Sequence, residues 1–229
     1  MKGPATRPSG AGTRRPRKRS GEIGLRLARL YPGSASELCA LRFESPFQLL
    51  VATVLSAQCT DERVNMVVPA LFARYPGPAE MAAADRNELE DLIRSTGFFR
   101  AKANHLLGAS QALLDRHGGT VPRTMEELTD LPGVGRKTAN VVLSVAFFLP
   151  GLPVDTHVGR LAGRLGLSGA TDPVRIETDL CELYPKDQWG ALSLRLIQHG
   201  RRVCAARRPL CGSCELADLC PSRGVAGRR

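Results

Sequence analysis

For most of this chain apolar residues repeat at intervals of three and four, and no stretch shows a convincing alternation with a period of two. Such spacing lays one face of a helix against a core and leaves no half-buried strand to build a sheet from. Ile23, Leu27 and Leu30 open the series over 22–30, and Tyr31-Pro32-Gly33 stops it. The same pattern predicts helices over 46–56, 63–75, 86–95, 102–117, 124–129, 135–148, 156–165, 173–184 and 188–203. Breakers separate them at Tyr75-Pro76-Gly77-Pro78, Gly118-Gly119, Pro132-Gly133, Pro150-Gly151 and Asp172-Pro173. The expected fold class is therefore all-α, about ten short helices without an internal repeat.

Length and charge narrow the function. At 229 residues with 43% hydrophobic content the chain can bury the core of one ordinary domain or two small ones, which excludes a collagen-like or wholly disordered protein. Its longest apolar stretch, 141–150, is interrupted by Ser144 and falls short of the ~18 residues that span a bilayer. The N-terminus has no apolar signal core, so a cytoplasmic protein free of the membrane is expected. The net charge of +10 is uneven: 1–20 carries seven Lys or Arg and no acid, 195–229 carries +6, and 21–194 is slightly acidic. That asymmetry suits a polyanionic partner, most commonly nucleic acid. Residues 1–20, rich in Gly, Pro, Ser and Arg, are read as a disordered basic arm, and 222–229 as a basic tail. Among the basic residues 27 are Arg and five Lys (Lys2, Lys18, Lys102, Lys137, Lys186), so a lysine was not the default choice at its position.

The most informative segment is 131–142, Leu-Pro-Gly-Val-Gly-Arg-Lys-Thr-Ala-Asn-Val-Val. A tight turn at Gly133, Val134 and Gly135 between two helices points successive backbone N–H groups outward, and the following helix adds the positive end of its dipole. A turn of that kind can hold a phosphate, although a plain helix connection reads the same way. Lys137 falls in the first turn of the second helix, where a cation opposes the dipole, and a lysine so placed is a candidate nucleophile. Asp155, eighteen residues on in Val154-Asp155-Thr156-His157, opens another helix. An aspartate there is a natural N-cap, and a cap carboxylate is also rigidly aimed.

Cys204, Cys211, Cys214 and Cys220 fall within 17 residues as C-x6-C-x2-C-x5-C. Four thiols so close together in a reducing compartment point to a metal site, and the spacing leaves zinc and iron–sulfur both open. Between the first two ligands, Arg207 and Arg208 stand on a loop clamped at both ends, a good phosphate contact. Cys39, Cys59 and Cys181 read as small buried or partly buried residues.

Lys137 in its hairpin segment, followed by Asp155, resembles the signature of the helix-hairpin-helix DNA glycosylases, most closely the endonuclease III branch, and the likeness runs from about residue 22 to residue 221. The resemblance implies two helical domains with the active-site cleft between them: a helical-barrel domain over 39–149 with the hairpin, and a discontinuous cluster domain of 21–38 and 150–221. It implies a [4Fe–4S] cluster on the four cysteines. It implies a monomer acting on double-stranded DNA that contains oxidised pyrimidines or abasic sites, in the cytoplasm and associated with the nucleoid. Lys137 would form a Schiff base and cut the strand by β-elimination, with Asp155 assisting. Gln58 matches the glutamine that fills the gap left by the extruded nucleotide, and Phe98 stands where the family most often has a leucine wedge. Asp61 and His157 also match family positions.

Three other readings compete. An adenine-mismatch glycosylase would carry a catalytic glutamate before the Gln58 loop, and 45–60 contains no carboxylate. A non-enzymatic DNA-binding module with structural zinc would need no pair of Lys137 and Asp155. A cysteine-ligated electron carrier would need neither that pair nor a DNA-suited surface.

Overall fold

A computed structural model describes residues 14–224 of the chain, with side chains from Lys18 onward. All regular structure among the described residues is helical, with no strand. The chain divides into two compact units.

The larger unit comprises Gly33–Pro153 and Lys186–Leu194. It contains α2 (Ala35–Leu38), α3 (Pro46–Leu55), α4 (Asp61–Arg74), α5 (Pro78–Ala82), α6 (Arg86–Ile93), α7 (Phe99–His117), α8 (Met125–Thr129) and α9 (Arg136–Val141). At its centre is α3, whose residues are buried from Leu49 through Leu55. A helix apolar on every side belongs in the middle of a bundle. Around it Val64 and Leu71 of α4, Met81 of α5, Leu89 and Ile93 of α6, and Leu106 and Leu113 of α7 close the core. Local signals set the helix starts. Pro46 and Pro78 occupy first helical turns, and Ser45, Thr60, Asp85 and Thr124 each accept an N–H from the first turn of the helix they precede.

The smaller unit takes in the chain up to Pro32, Val154–Pro185, and the chain from Arg195 on. It contains α1 (Arg14–Leu30), α10 (Thr156–Arg164) and α11 (Pro173–Leu183). Its core gathers Ile23, Leu27, Val158, Leu161, Ile176 and Leu180, all buried. The last helix, α12 (Trp189–Arg202), begins in the larger unit and ends in the smaller.

Several expectations shift. Residues 14–20, read as part of a disordered arm, form the first turns of α1, and Ser20 is buried while Arg19 donates to the Gly166 carbonyl. Tertiary contact overrides a poor helix-forming composition there; residues 1–13 of that arm, and 225–229 of the tail, lie outside the described residues. The helix expected over 135–148 is α-helical to Val141 and continues as a π turn over Val142–Ala146. The unit boundary falls at Gly33 rather than at residue 39, and Lys186–Leu194 joins the larger unit. Gly190 accounts for the latter: a Cβ there would meet the Ser144 side chain at 2.6 Å, so α12 can approach the π turn this closely only with glycine.

Truncating Leu113, which has no solvent exposure, to alanine is expected to cost about 2–5 kcal/mol, read as a lowered midpoint in urea unfolding.

Candidate functional site

Between α8 and α9 the chain turns within Leu131, Pro132, Gly133 and Val134, closed by the Val134 N–H donating to the Leu131 carbonyl at 3.1 Å. Gly133 has φ +76°, and a Cβ on it would lie 2.5 Å from both Cβ and Cγ of His105 on α7. The turn is thus pressed flat against α7, which only glycine permits. Val134 is buried and its N–H is spent inside the turn, so the expected row of outward N–H groups is interrupted at that residue. Gly135 is the N-cap residue of α9 at φ −90°, in open space. Lys137, two residues later, is exposed in the first turn of α9.

Beside this turn lies a cavity of about 290 Å³ lined by Gln58, Phe98, Lys102, His105, Gly133 and Thr138 among others. The fold therefore brings Gln58, Phe98 and the hairpin to one place, although they come from three separate segments. Gln58 (φ 53°) and Phe98 (φ 47°) both occupy the left-handed region. A non-glycine residue there stores roughly 1 kcal/mol or more, and such strain collects at functional sites. Phe98 is 67% exposed. Phe99 is the ring turned inward, half-buried, with the Arg94 and Arg100 guanidinium carbons 5.0 and 5.5 Å from its centre.

In the smaller unit, Asp155 is the N-cap of α10, its Oδ1 accepting the Val158 N–H at 2.8 Å. His157 meets Arg160 across a 3.0 Å hydrogen bond, and burial lowers its pKa from the usual imidazole value. Arg160 also donates to the Gly200 and Cys204 carbonyls, and Arg164 donates to those of Ala205 and Ala206 at 2.8 and 2.7 Å. These two arginines, four apart on α10, pin the loop that carries Arg207 and Arg208, both exposed. Their i, i+4 spacing was visible in the sequence, but their carbonyl targets were not.

Cys204, Cys211, Cys214 and Cys220 line one small apolar cavity with Leu161 and Val203. Among the described residues no compact group of three or more His, Cys, Asp or Glu side chains is set to hold a single metal ion. The donor set nonetheless fits a cationic cofactor. Burial, and behind it the charges of the neighbouring cysteines, pushes the Cys214 and Cys220 thiols up from the usual thiol value. Positive charge among the sulfurs inverts that penalty. Around them, Arg164 reaches Cys204 Sγ at 3.3 Å, and His199 Nε2 lies 3.4 Å from Cys214 Sγ. The other nitrogen of that ring meets the Tyr31 hydroxyl at 3.1 Å. Sequence reasoning gave no functional role to Lys102, His105, Arg164, His199 or Tyr31. Cys39, Cys59 and Cys181 are partly buried, and burial raises the Cys39 thiol pKa.

Residues 51–186 match the HhH-GPD superfamily base excision DNA repair protein family. The chain is 58% identical over 207 residues to the endonuclease III of Synechocystis, covering 90% of this chain and 93% of that protein. It is 39% identical over 194 residues to the endonuclease III of Escherichia coli, covering 85% and 92%. A solved non-covalent endonuclease III–DNA complex superposes with a TM-score of 0.84 at 42% identity, over 90% of this chain and 95% of that one. A thermostable thymine-DNA glycosylase, 22% identical, shares the fold with a TM-score of 0.79 over 92% of this chain and 98% of that one. Among the described residues no helix is long and apolar enough to cross a membrane.

The two hairpin glycines differ in a way that unfolding can measure. Gly133→Ala is expected to cost roughly 2 kcal/mol or more in urea unfolding, from positive φ and the clash with His105. Gly135→Ala is expected to cost under about 1 kcal/mol.

Proposed function

Because this chain belongs to the endonuclease III family, within the HhH-GPD superfamily of base excision DNA repair proteins, we propose that it removes oxidised pyrimidines of the thymine glycol type from double-stranded DNA and cuts the strand 3′ to the resulting abasic site. It is a base excision repair enzyme of the DNA glycosylase/AP lyase class. The observation that carries the reading is the gathering of Gln58, Phe98 and the Gly133 hairpin around one cavity, with Lys137 four residues beyond the hairpin glycine.

Extruding a nucleotide costs a few kcal/mol of stacking and pairing. Gln58 and Phe98, held out on strained backbone, are suited to fill and prop the gap. The backbone at Gly133 and Gly135, on either side of the inward-bonded Val134, and the Arg207 and Arg208 side chains contact phosphates, which fixes register without reading sequence. The Lys137 amine then attacks deoxyribose C1′ as the N-glycosidic bond breaks, and the base leaves with the bonding electron pair and gains a proton. Opening of the sugar ring gives a Schiff base between Lys137 and C1′. Loss of a C2′ proton expels the 3′ phosphate, and water releases Lys137 from the unsaturated sugar. Positive charge develops on the sugar in the first step, and a fixed carboxylate at Asp155 stabilises it more in the transition state than in the ground state. The cysteines at 204, 211, 214 and 220 would hold the [4Fe–4S] cluster of the family, whose chemistry here is to cross-link the C-terminal segment. The protein acts as a monomer in the cytoplasm, on nucleoid DNA.

The test is a 5′-labelled duplex with one thymine glycol, followed by base release and strand cutting. Lys137→Ala is expected to lose about a thousandfold or more in both. Asp155→Asn is the sharper variant, since asparagine caps a helix as well as aspartate does. It is expected to unfold at the wild-type urea midpoint while losing about a hundredfold in base release. A variant that kept wild-type rates would remove its residue from the mechanism.

A further inference from the structure

Lys102 is 4% exposed, which is unusual for a lysine, in a chain that places arginine at 27 of 32 basic positions. It lies in the first turns of α7, and its Nζ donates to the Leu55 carbonyl at 2.7 Å and to the Thr96 carbonyl at 2.8 Å. Leu55 is the last residue of α3, and Thr96 is the last residue of the 3-10 turn Arg94–Thr96. Carbonyls at helix ends lack a partner within their helix and carry the negative end of its dipole. One buried ammonium therefore closes two helix ends at once. Burial lowers the pKa of that ammonium from the usual lysine value, so the arrangement is costly.

Just beyond each of those carbonyls the chain places one of the two non-glycine residues of positive φ that line the cavity beside the hairpin. Gln58 is three residues past Leu55, and Phe98 is two past Thr96. Both have positive φ, both are exposed, and both line the cavity that Lys102 itself lines. The Phe98 carbonyl also accepts the Lys102 backbone N–H at 3.0 Å, so the same residue ties down the base of that loop a second time. Two strained loops thus share one cationic anchor.

We propose that Lys102 is a positioning residue for base extrusion: its ammonium joins the Leu55 and Thr96 carbonyls and so holds Gln58 and Phe98 in the outward conformations from which they enter the duplex. The inference rests on the reading of those two side chains as gap-filling groups. Lys102 makes no contact with the sugar or the base in this role and contributes nothing to Schiff-base chemistry.

Lys102→Met keeps the length and apolar stem of the side chain and removes its donors. An abasic site in single-stranded DNA has no base to extrude and no stack to prop, so cutting there reports Lys137 alone. The full-length protein carrying Lys102→Met is expected to lose roughly 10–100-fold in thymine glycol release from duplex DNA, relative to wild type. On the single-stranded abasic substrate it should stay within about twofold. A 2-aminopurine placed beside the lesion should brighten less on binding, because unstacking is impaired. In a Gln58→Ala/Phe98→Ala background, adding Lys102→Met should change duplex release by less than about twofold, since its effect passes through those side chains.

Equal losses on both substrates, additive losses in the combined variant, or an unchanged duplex rate would each overturn the proposal. A Gln58→Ala/Phe98→Ala protein that releases thymine glycol at the wild-type rate would instead remove the gap-filling reading on which the proposal stands, and the proposal with it. Circular dichroism establishes folding first. Should Lys102→Met fail to fold, Lys102→Gln, which retains a donor for one carbonyl, takes its place under the same criteria. If neither folds, Lys102 is a folding residue and the proposal is wrong.

Discussion

A helix buried on every side can end only where its last carbonyls find partners other than water, and α3 is such a helix. Its burial from Leu49 through Leu55 organises the core of the larger unit, because α4, α5, α6 and α7 all place apolar side chains in the cluster to which it belongs. Burial also creates the problem that Lys102 solves at the Leu55 carbonyl. From that point the chain must leave the core, and it does so through Gln58 at positive φ. The residue with the clearest outward role in this segment is thus a direct sequel to the most buried helix. Strain at Gln58 and Phe98 is tolerated because a well-packed core over-determines the backbone on either side.

The smaller unit solves a different problem with different means. Its C-terminal segment, over the described residues 204–224, has little regular structure apart from the short turn Cys211–Ser213, and Leu216 is its one fully buried apolar side chain there. Backbone carbonyls left by such a segment are met by side chains from the helices: Arg160 and Arg164 of α10 take those of Cys204, Ala205 and Ala206, and Arg26 of α1 takes that of Glu215 while pairing with Asp218. His199, bridging Tyr31 and Cys214, adds a buried link to the same segment. The cysteines are therefore presented by a scaffold of arginine-to-carbonyl bonds, and the loop bearing Arg207 and Arg208 is held from behind.

Legibility followed sharp ends rather than length. The helices at 46–56, 86–95, 156–165 and 173–184 were located to within a residue or two, because two to three turns of apolar periodicity begin at a capping Ser or Asp, whereas the longest helices, Phe99–His117 and Arg14–Leu30, start three and eight residues before the expected positions. Ala35–Leu38 and Pro78–Ala82 escaped, since four or five residues make little more than one turn and show no period. The π turn at Val142–Ala146 was invisible for another reason, as its spacing differs from an α-helix by one residue over one turn. Lys137, Asp155 and the four cysteines could be singled out because chemistry restricts which residue types can serve there. Lys102 carried a faint signal, a lysine in an arginine-rich chain, but its partners are carbonyls 47 and six residues away that no side-chain pattern announces. Which of Phe98 and Phe99 faces outward was undecidable from spacing alone, since backbone handedness at Phe98 sets it.

The central claim is that one amine, that of Lys137, forms the covalent link to DNA, and mapping the link tests it most directly. Wild-type protein would be reacted with a thymine glycol duplex under borohydride, digested, and the sugar-bearing peptide identified by mass spectrometry. A single modified peptide with the remnant on Lys137 is the predicted result. A remnant on Lys102, Lys186 or the N-terminal amine, or no covalent product from folded and active protein, would contradict it.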